Sequence, residues 1–150
     1  MNILDNLNEQ YEIVSSGPAS SEEDIRQLIE FSKIEVPEEY LNLIRQETNI
    51  KMVVRNRKYD HSIRIYGAFR CINMNLSLLT HRYMPDSLLI GDNGGSIALS
   101  YASAIEGFGV YAVDWSSIDI NEAVYLSKSL ESLLVDGEGI DILCEEFLAK

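Results

Sequence analysis

The apolar positions of this chain change period twice. Near the start, Ile3, Leu4 and Leu7 recur at helical spacing and predict a short first helix. Ser15-Ser16-Gly17-Pro18 is a break. A helix is predicted after it, with Ser20 as the cap and Glu23 three residues on as its capping-box partner. Glu22, Glu23 and Asp24 crowd the positive end of its dipole, and Ile25, Leu28, Ile29 and Ser32 form a mostly apolar face that runs out near Lys33. Pro37-Glu38-Glu39 opens a second helix with Tyr40, Leu41 and Ile44 inward, ending at Thr48-Asn49.

The period then falls to two. Met52-Val53-Val54, Ile63-x-Ile65 and Phe69-x-Cys71 read as strands, the first two joined by a loop over residues 55–61. A short helix is predicted over residues 73–82, stopped by Pro85. Leu88-Leu89-Ile90, the turn Gly91-Asp92-Asn93-Gly94-Gly95 and the run from Ser96 to Tyr101 read as a hairpin. In that turn both Gly94 and Gly95 are expected at positive φ. No Gly-x-x-x-x-Gly-Lys-[Ser/Thr] pattern accompanies it, so it reads as a turn rather than a phosphate cradle. Val110 to Trp115 is a further strand and Ala123 to Leu126 a last short one. Ser127 is expected to cap a helix through Leu130, Leu133 and Leu134. Gly137 and Gly139 interrupt it, and Ile142, Leu143, Phe147 and Leu148 close the chain as a final helical segment. Helices first, strands in the middle and helices last predict an α+β fold. A single domain over residues 1–150 is expected, with its core at about 20–147 and N- and C-terminal helices packed on a mostly antiparallel central sheet.

Charge adds a functional constraint. The chain carries a formal net charge of −12, unevenly placed: residues 1–75 hold 9 Lys/Arg and 12 Asp/Glu, residues 76–150 hold 3 and 12. Such a surface repels nucleic acid and anionic membranes and attracts basic partners. Residues 51–70 run the other way, with six basic residues and one acid beside Tyr59 and Tyr66. This strip resembles a nucleic-acid face, but a solvated hairpin accounts for the same alternation, and no nucleic-acid partner is expected. The longest stretch without a charged side chain is the 13 residues 93–105, too short for a membrane span, and the first residues carry no leader pattern. Two isolated cysteines in apolar company, Cys71 and Cys144, fit a reduced, cytoplasmic protein.

Candidate chemistry is sparse. His61 and His81 lack companions at metal-ligand spacing, so no metal and no cofactor are expected. Asp92 and Asp114 lie near strand ends and could flank a cleft as paired carboxylates, although a turn former and a strand-end cap explain them better. Trp115 beside Asp114 is either an interface anchor or a lid on the core.

Five segments in order resemble the SUKH superfamily. They are Ser20 with Asp24-Ile25; Val36-Pro37-Glu38-Glu39-Tyr40-Leu41; Leu89 to Gly95; Val110-Tyr111-Ala112-Val113-Asp114; and Val124 to Leu134. The resemblance spans Ser20 to Phe147 and is nearest the branch that joins bacterial immunity proteins to fungal cell-wall-synthesis regulators. Two loop positions depart from the family pattern, Ser96 after Gly95 and Ile50 after Asn49. The resemblance implies an α+β fold without catalysis. It also implies a protein that neutralises a polymorphic or contact-delivered toxin, often a nuclease, by stoichiometric binding. Candidate contacts for a basic toxin are Asp86, Asp92, Glu106, Asp114, Asp119 and Glu122, with Trp115 as anchor. A regulatory or scaffold module without a toxin is a second reading. An enzyme acting on a sugar or nucleotide through Asp92 and Asp114 is a third. The pattern leaves the oligomeric state open.

Overall fold

Seven strands pair in sequence order, every neighbour antiparallel, into one sheet. The computed structural model describes the backbone of residues 2–55 and 60–149, and the side chains of all of these except 60 and 145–149. The tip of the expected basic loop, residues 56–59, and the side chains of Phe147 and Leu148 therefore lie outside the described residues. The strands are β1 (Tyr11–Gly17), β2 (Thr48–Arg55), β3 (Asp60–Ile65), β4 (Ser87–Asp92), β5 (Ile97–Ala104), β6 (Gly107–Asp114) and β7 (Val124–Ser127). Between β1 and β2 lie α1 (Glu22–Phe31) and α2 (Glu38–Ile44), and between β3 and β4 lie α3 (Ala68–Ser77) and α4 (Thr80–Tyr83). A π-helical turn, Ser132–Asp136, and α5 (Ile140–Ala149) end the chain.

The α+β class with a mostly antiparallel sheet holds, while the expected segregation of helices from strands does not. A strand precedes α1, and α3 and α4 interrupt the sheet's sequence. The break expected at Ser15–Gly17 is the end of β1, whose register slips on both sides of Ser15. The first predicted helix is one 3-10 turn, Leu4–Asn6. Phe69-x-Cys71 is helical rather than extended: Ala68, Cys71 and Asn75 bury one face at three- and four-residue spacing, a repeat that a two-residue period obscures. The cap of α1 is Ser21, whose Oγ accepts from Asp24 N at 3.0 Å, not Ser20. The Ser20 hydroxyl accepts from Ala68 N and so caps α3 instead. Glu23 completes no capping box; its carboxylate bonds Arg26 and Gln27 one turn on. At the end of β7, the Ser127 hydroxyl donates to Ser129 O, and Ser129 is the residue that caps the following turn through Ser132 N.

The sheet is continuous but nearly splits between β3 and β4. These strands pair at two rows, Arg64↔Asp92 and Ile65↔Gly91, and Tyr66 N then donates to Ile90 O. Beyond that point the buried Asn75 of α3 substitutes for a strand. Its Oδ1 accepts from Leu89 N at 3.0 Å and its Nδ2 donates to Leu89 O at 2.9 Å. At the seam Gly91 is required by proximity, since a Cβ there would overlap the carbonyl oxygen of Arg64.

One large apolar cluster contains α1, α2 and the inward residues of every strand, including Tyr40, Ile63, Leu99, Val110 and Leu126. A second, smaller cluster lies on the other face of the sheet's C-terminal half. There Met84, Ala102, Tyr111 and Val113 are covered by Ile118, Ile120, Ala123 and Tyr125. Cys71 and Cys144 are both buried, as small core residues. Burial pushes the Cys71 thiol up to about 12, which leaves it unreactive. Among the described residues no helix is long and apolar enough to cross a membrane.

Candidate partner-binding surface

The expected contact residues divide between opposite ends of the sheet. Asp86 precedes β4 and Glu106 sits in the β5–β6 turn, so both lie at one end. Asp92, Asp114, Trp115, Asp119 and Glu122 lie at the other. The eight residues of β5 separate the ends by about 24 Å.

At the far end, most of the acids serve the chain itself. Asp92 is 1% exposed and cannot meet a partner. Its Oδ2 accepts from the Tyr66 hydroxyl, its Oδ1 accepts from Gly94 N at 2.7 Å, and Arg64 stands 3.7 Å away. Burial, then the Asp92 carboxylate, drives the Tyr66 phenol far above its ordinary range, so it remains a donor. Gly94 has φ +79°, as expected of the turn, whereas Gly95 does not take positive φ. Asn93 Oδ1 closes the loop by accepting from Gly95 N and Ile97 N. Asp114 accepts from Ser116 N and Oγ, and Asp119 accepts from Asn121 N to start the turn that contains Glu122. Asp92 pairs with Ala98, which pairs with Val113, so Asp92 and Asp114 leave opposite faces of the sheet. They do not form a two-carboxylate site. Trp115 is half-buried and packs on the main core, with Tyr83 and Ile118 beside it in a shallow depression.

The near end has the anatomy of a contact surface. A groove of about 550 Å³ runs between the α1–α2 connection and the β5–β6 hairpin. Glu35, Glu38 and Asp86 rim it, and Val36, Pro37 and Phe108 supply apolar walls. Glu38 also lies 3.7 Å from Arg45, outside the lining. Phe108 is half-exposed and stacks on Tyr101, centroids 5.9 Å apart and planes 4° from parallel. Tyr101 is fixed in turn by Glu39. The Glu39 Oε2 accepts from the Tyr101 hydroxyl and from Leu130 N, both at 2.8 Å, and Oε1 accepts from Glu131 N at 3.0 Å. Burial, with the Glu39 carboxylate beside it, holds the Tyr101 phenol protonated, so this donor persists. The neighbouring turn is fixed as well: the Tyr111 hydroxyl donates to Gly107 O and accepts from Glu106 N. That turn presents Ile105, 90% exposed, beside the exposed Glu106.

Sequence reasoning missed Glu35, Glu38, Phe108 and Ile105. Glu38 reads in sequence as part of a helix start, Glu35 and Ile105 sit in connections, and Phe108 lies at the start of β6, where its role depends on tertiary packing. Among the described residues no group of three His, Cys, Asp or Glu could hold a metal ion. His81 Nε2 donates to Ser87 O at 3.1 Å and its ring packs at a tilt on Phe31, which accounts for it structurally. No protein-family model matches this chain, and no curated protein matches it.

Proposed function

We propose that this protein binds a basic protein toxin through the acid-rimmed groove and so blocks it, one to one. The observation that carries this reading is the joining of three groove carboxylates to Phe108, an aromatic ring held in place by Tyr101 and Glu39. Rigid aromatic anchors within a charged rim are where binding energy concentrates, because little side-chain freedom is lost on association. The acids supply steering and partner choice, and a net charge of −12 extends that attraction beyond the groove. The resemblance to the SUKH superfamily supports the toxin as the kind of partner. Asp86 and Glu106 remain in the proposed contact set, Glu35, Glu38, Ile105 and Phe108 join it, and Asp92, Asp114, Trp115, Asp119 and Glu122 leave it.

The test is kinetic. A protein encoded beside this one that binds it tightly provides the cognate partner. Reversing Glu35, Glu38 and Asp86 together to Lys should slow association by about tenfold or more at low salt. Phe108→Ala should instead speed dissociation by about tenfold or more. The same reversal at Asp119 and Glu122 is the control and should leave both rates nearly unchanged. Full protection of cells by the triple reversal, with its thermal melt intact, sinks the reading.

A further inference from the structure

The walls of the groove and its rim call for different chemistry in one occupant. Val36 and Pro37 line it from the α1–α2 connection, and Phe108 lines it from the β5–β6 hairpin. Val36 is buried while Phe108 is 47% exposed, so the open apolar surface is chiefly the aromatic ring. Tyr101 occupies one face of that ring in a near-parallel stack, and the surface left over borders the groove. The rim carboxylates stand on both banks. Glu35 and Glu38 belong to the helix side, and Asp86 to the sheet side, where its carbonyl oxygen accepts from Ser103 N at 3.3 Å. Glu38 has Arg45 at 3.7 Å, whereas Glu35 and Asp86 form no ion pair among the described residues.

We propose that the groove takes one arginine side chain of the partner. Its stem lies between Phe108 and the Val36–Pro37 wall, and its guanidinium lies among the three carboxylates. This rests on the reading of the groove as the toxin-binding surface and names what the partner brings to it. Carboxylates alone would attract any cation. Apolar walls within the same groove add the requirement for a long unbranched stem, which only an amphipathic cation meets. The ring adds a second requirement. A guanidinium is planar, lies flat on an aromatic face and is more weakly hydrated than an ammonium. Its forked donors reach carboxylates on both banks at once, where an ammonium acts as a single point charge. Because Tyr101 and Glu39 already fix the ring, stacking on it costs little further side-chain freedom.

Capped peptides Gly-Gly-X-Gly-Gly, with X arginine, lysine, citrulline or norleucine, test this by NMR on the whole protein at about 0.05 M salt. The arginine peptide should shift the amides of Asp86, Ser103 and Phe108 with a dissociation constant of about 1–10 mM. Its side-chain methylenes should move upfield in the ring current of Phe108. The lysine peptide should bind about fivefold more weakly. Citrulline keeps the shape without the charge and norleucine keeps the stem alone, so both should bind about tenfold or more weakly. Phe108→Leu retains the acids and an apolar wall, and should abolish both the upfield shift and the preference for arginine over lysine. Asp119→Asn with Glu122→Gln, at the other end of the sheet, should change neither. Equal binding of the arginine and lysine peptides overturns the proposal. So does arginine binding without the upfield shift, or a norleucine peptide that binds as well as the arginine one. No shift at about 20 mM arginine peptide overturns it as well. These measurements need no toxin, so the two readings fail separately. Toxin capture lost on reversing the acids, with no arginine preference among the peptides, keeps the toxin surface and removes the arginine. An arginine preference with toxin capture untouched by the reversal keeps the arginine site and removes the toxin.

Discussion

The two halves of the sheet are built on different rules. In β2 buried and accessible positions alternate, and β1 beside it buries only Tyr11, so one face packs on the core and the other meets solvent through Glu12, Lys51 and Arg55. In β4, β5 and β6 almost every residue is buried, because helices cover one face and the connection to β7 covers the other. The first half is an ordinary one-sided antiparallel sheet; the second is a central layer. They meet at the β3–β4 seam, where strand pairing is shortest and Asn75 completes it. A sheet can therefore change from one regime to the other within one inter-strand gap if a side-chain amide supplies the missing backbone partners.

The sharpest way to break the comparison is at the seam. Gly91→Val places a branched side chain against the Arg64 carbonyl, in backbone that cannot yield cheaply. A loss of about 3 kcal/mol or more in denaturant unfolding is expected, or failure to fold. Asn75→Ala should cost about 2–3 kcal/mol, since Leu89 N loses its acceptor in a dry site and Leu89 O is left with the Cys71 thiol alone of its two side-chain donors. Hydrogen exchange should then rise first at Leu89. Val53→Thr, on the accessible face of the first half, should stay within about 0.5 kcal/mol of wild type. A Val53→Thr loss as large as that at Asn75 would mean that the first half is covered too.

The same contrast explains what the sequence disclosed. Strands whose partners and faces follow from local period, such as Met52–Val54 and Val110–Asp114, were legible, as was the Asp92–Gly94 turn through its residue chemistry. The helix at Phe69–Cys71 was not, because its buried face includes Asn75, a polar residue whose role exists only once Leu89 lies opposite. The site was the least legible part. Asp86 and Glu106, which lie at the groove's end of the sheet, were singled out because charge is visible in sequence. Phe108 was not, since its meaning depends on Tyr101 below it and Glu39 across the fold. Asp92 was misplaced for the converse reason: a turn acid looks exposed until Tyr66 and Arg64 close over it.

The strand order has a consequence for how the chain is made. Because β1 to β7 lie in the sheet in the order they leave the ribosome, each new strand can dock on the one synthesised just before it. Growth in one direction leaves a single advancing edge exposed at any moment, which limits wrong pairings. The clasp of Glu39 on Leu130 and Glu131 breaks this order, since it joins residues 91 and 92 positions apart. Until residues 130 and 131 emerge, that carboxylate lacks its two amide donors, so the groove's aromatic wall is fixed only after the last strand of the sheet has been made.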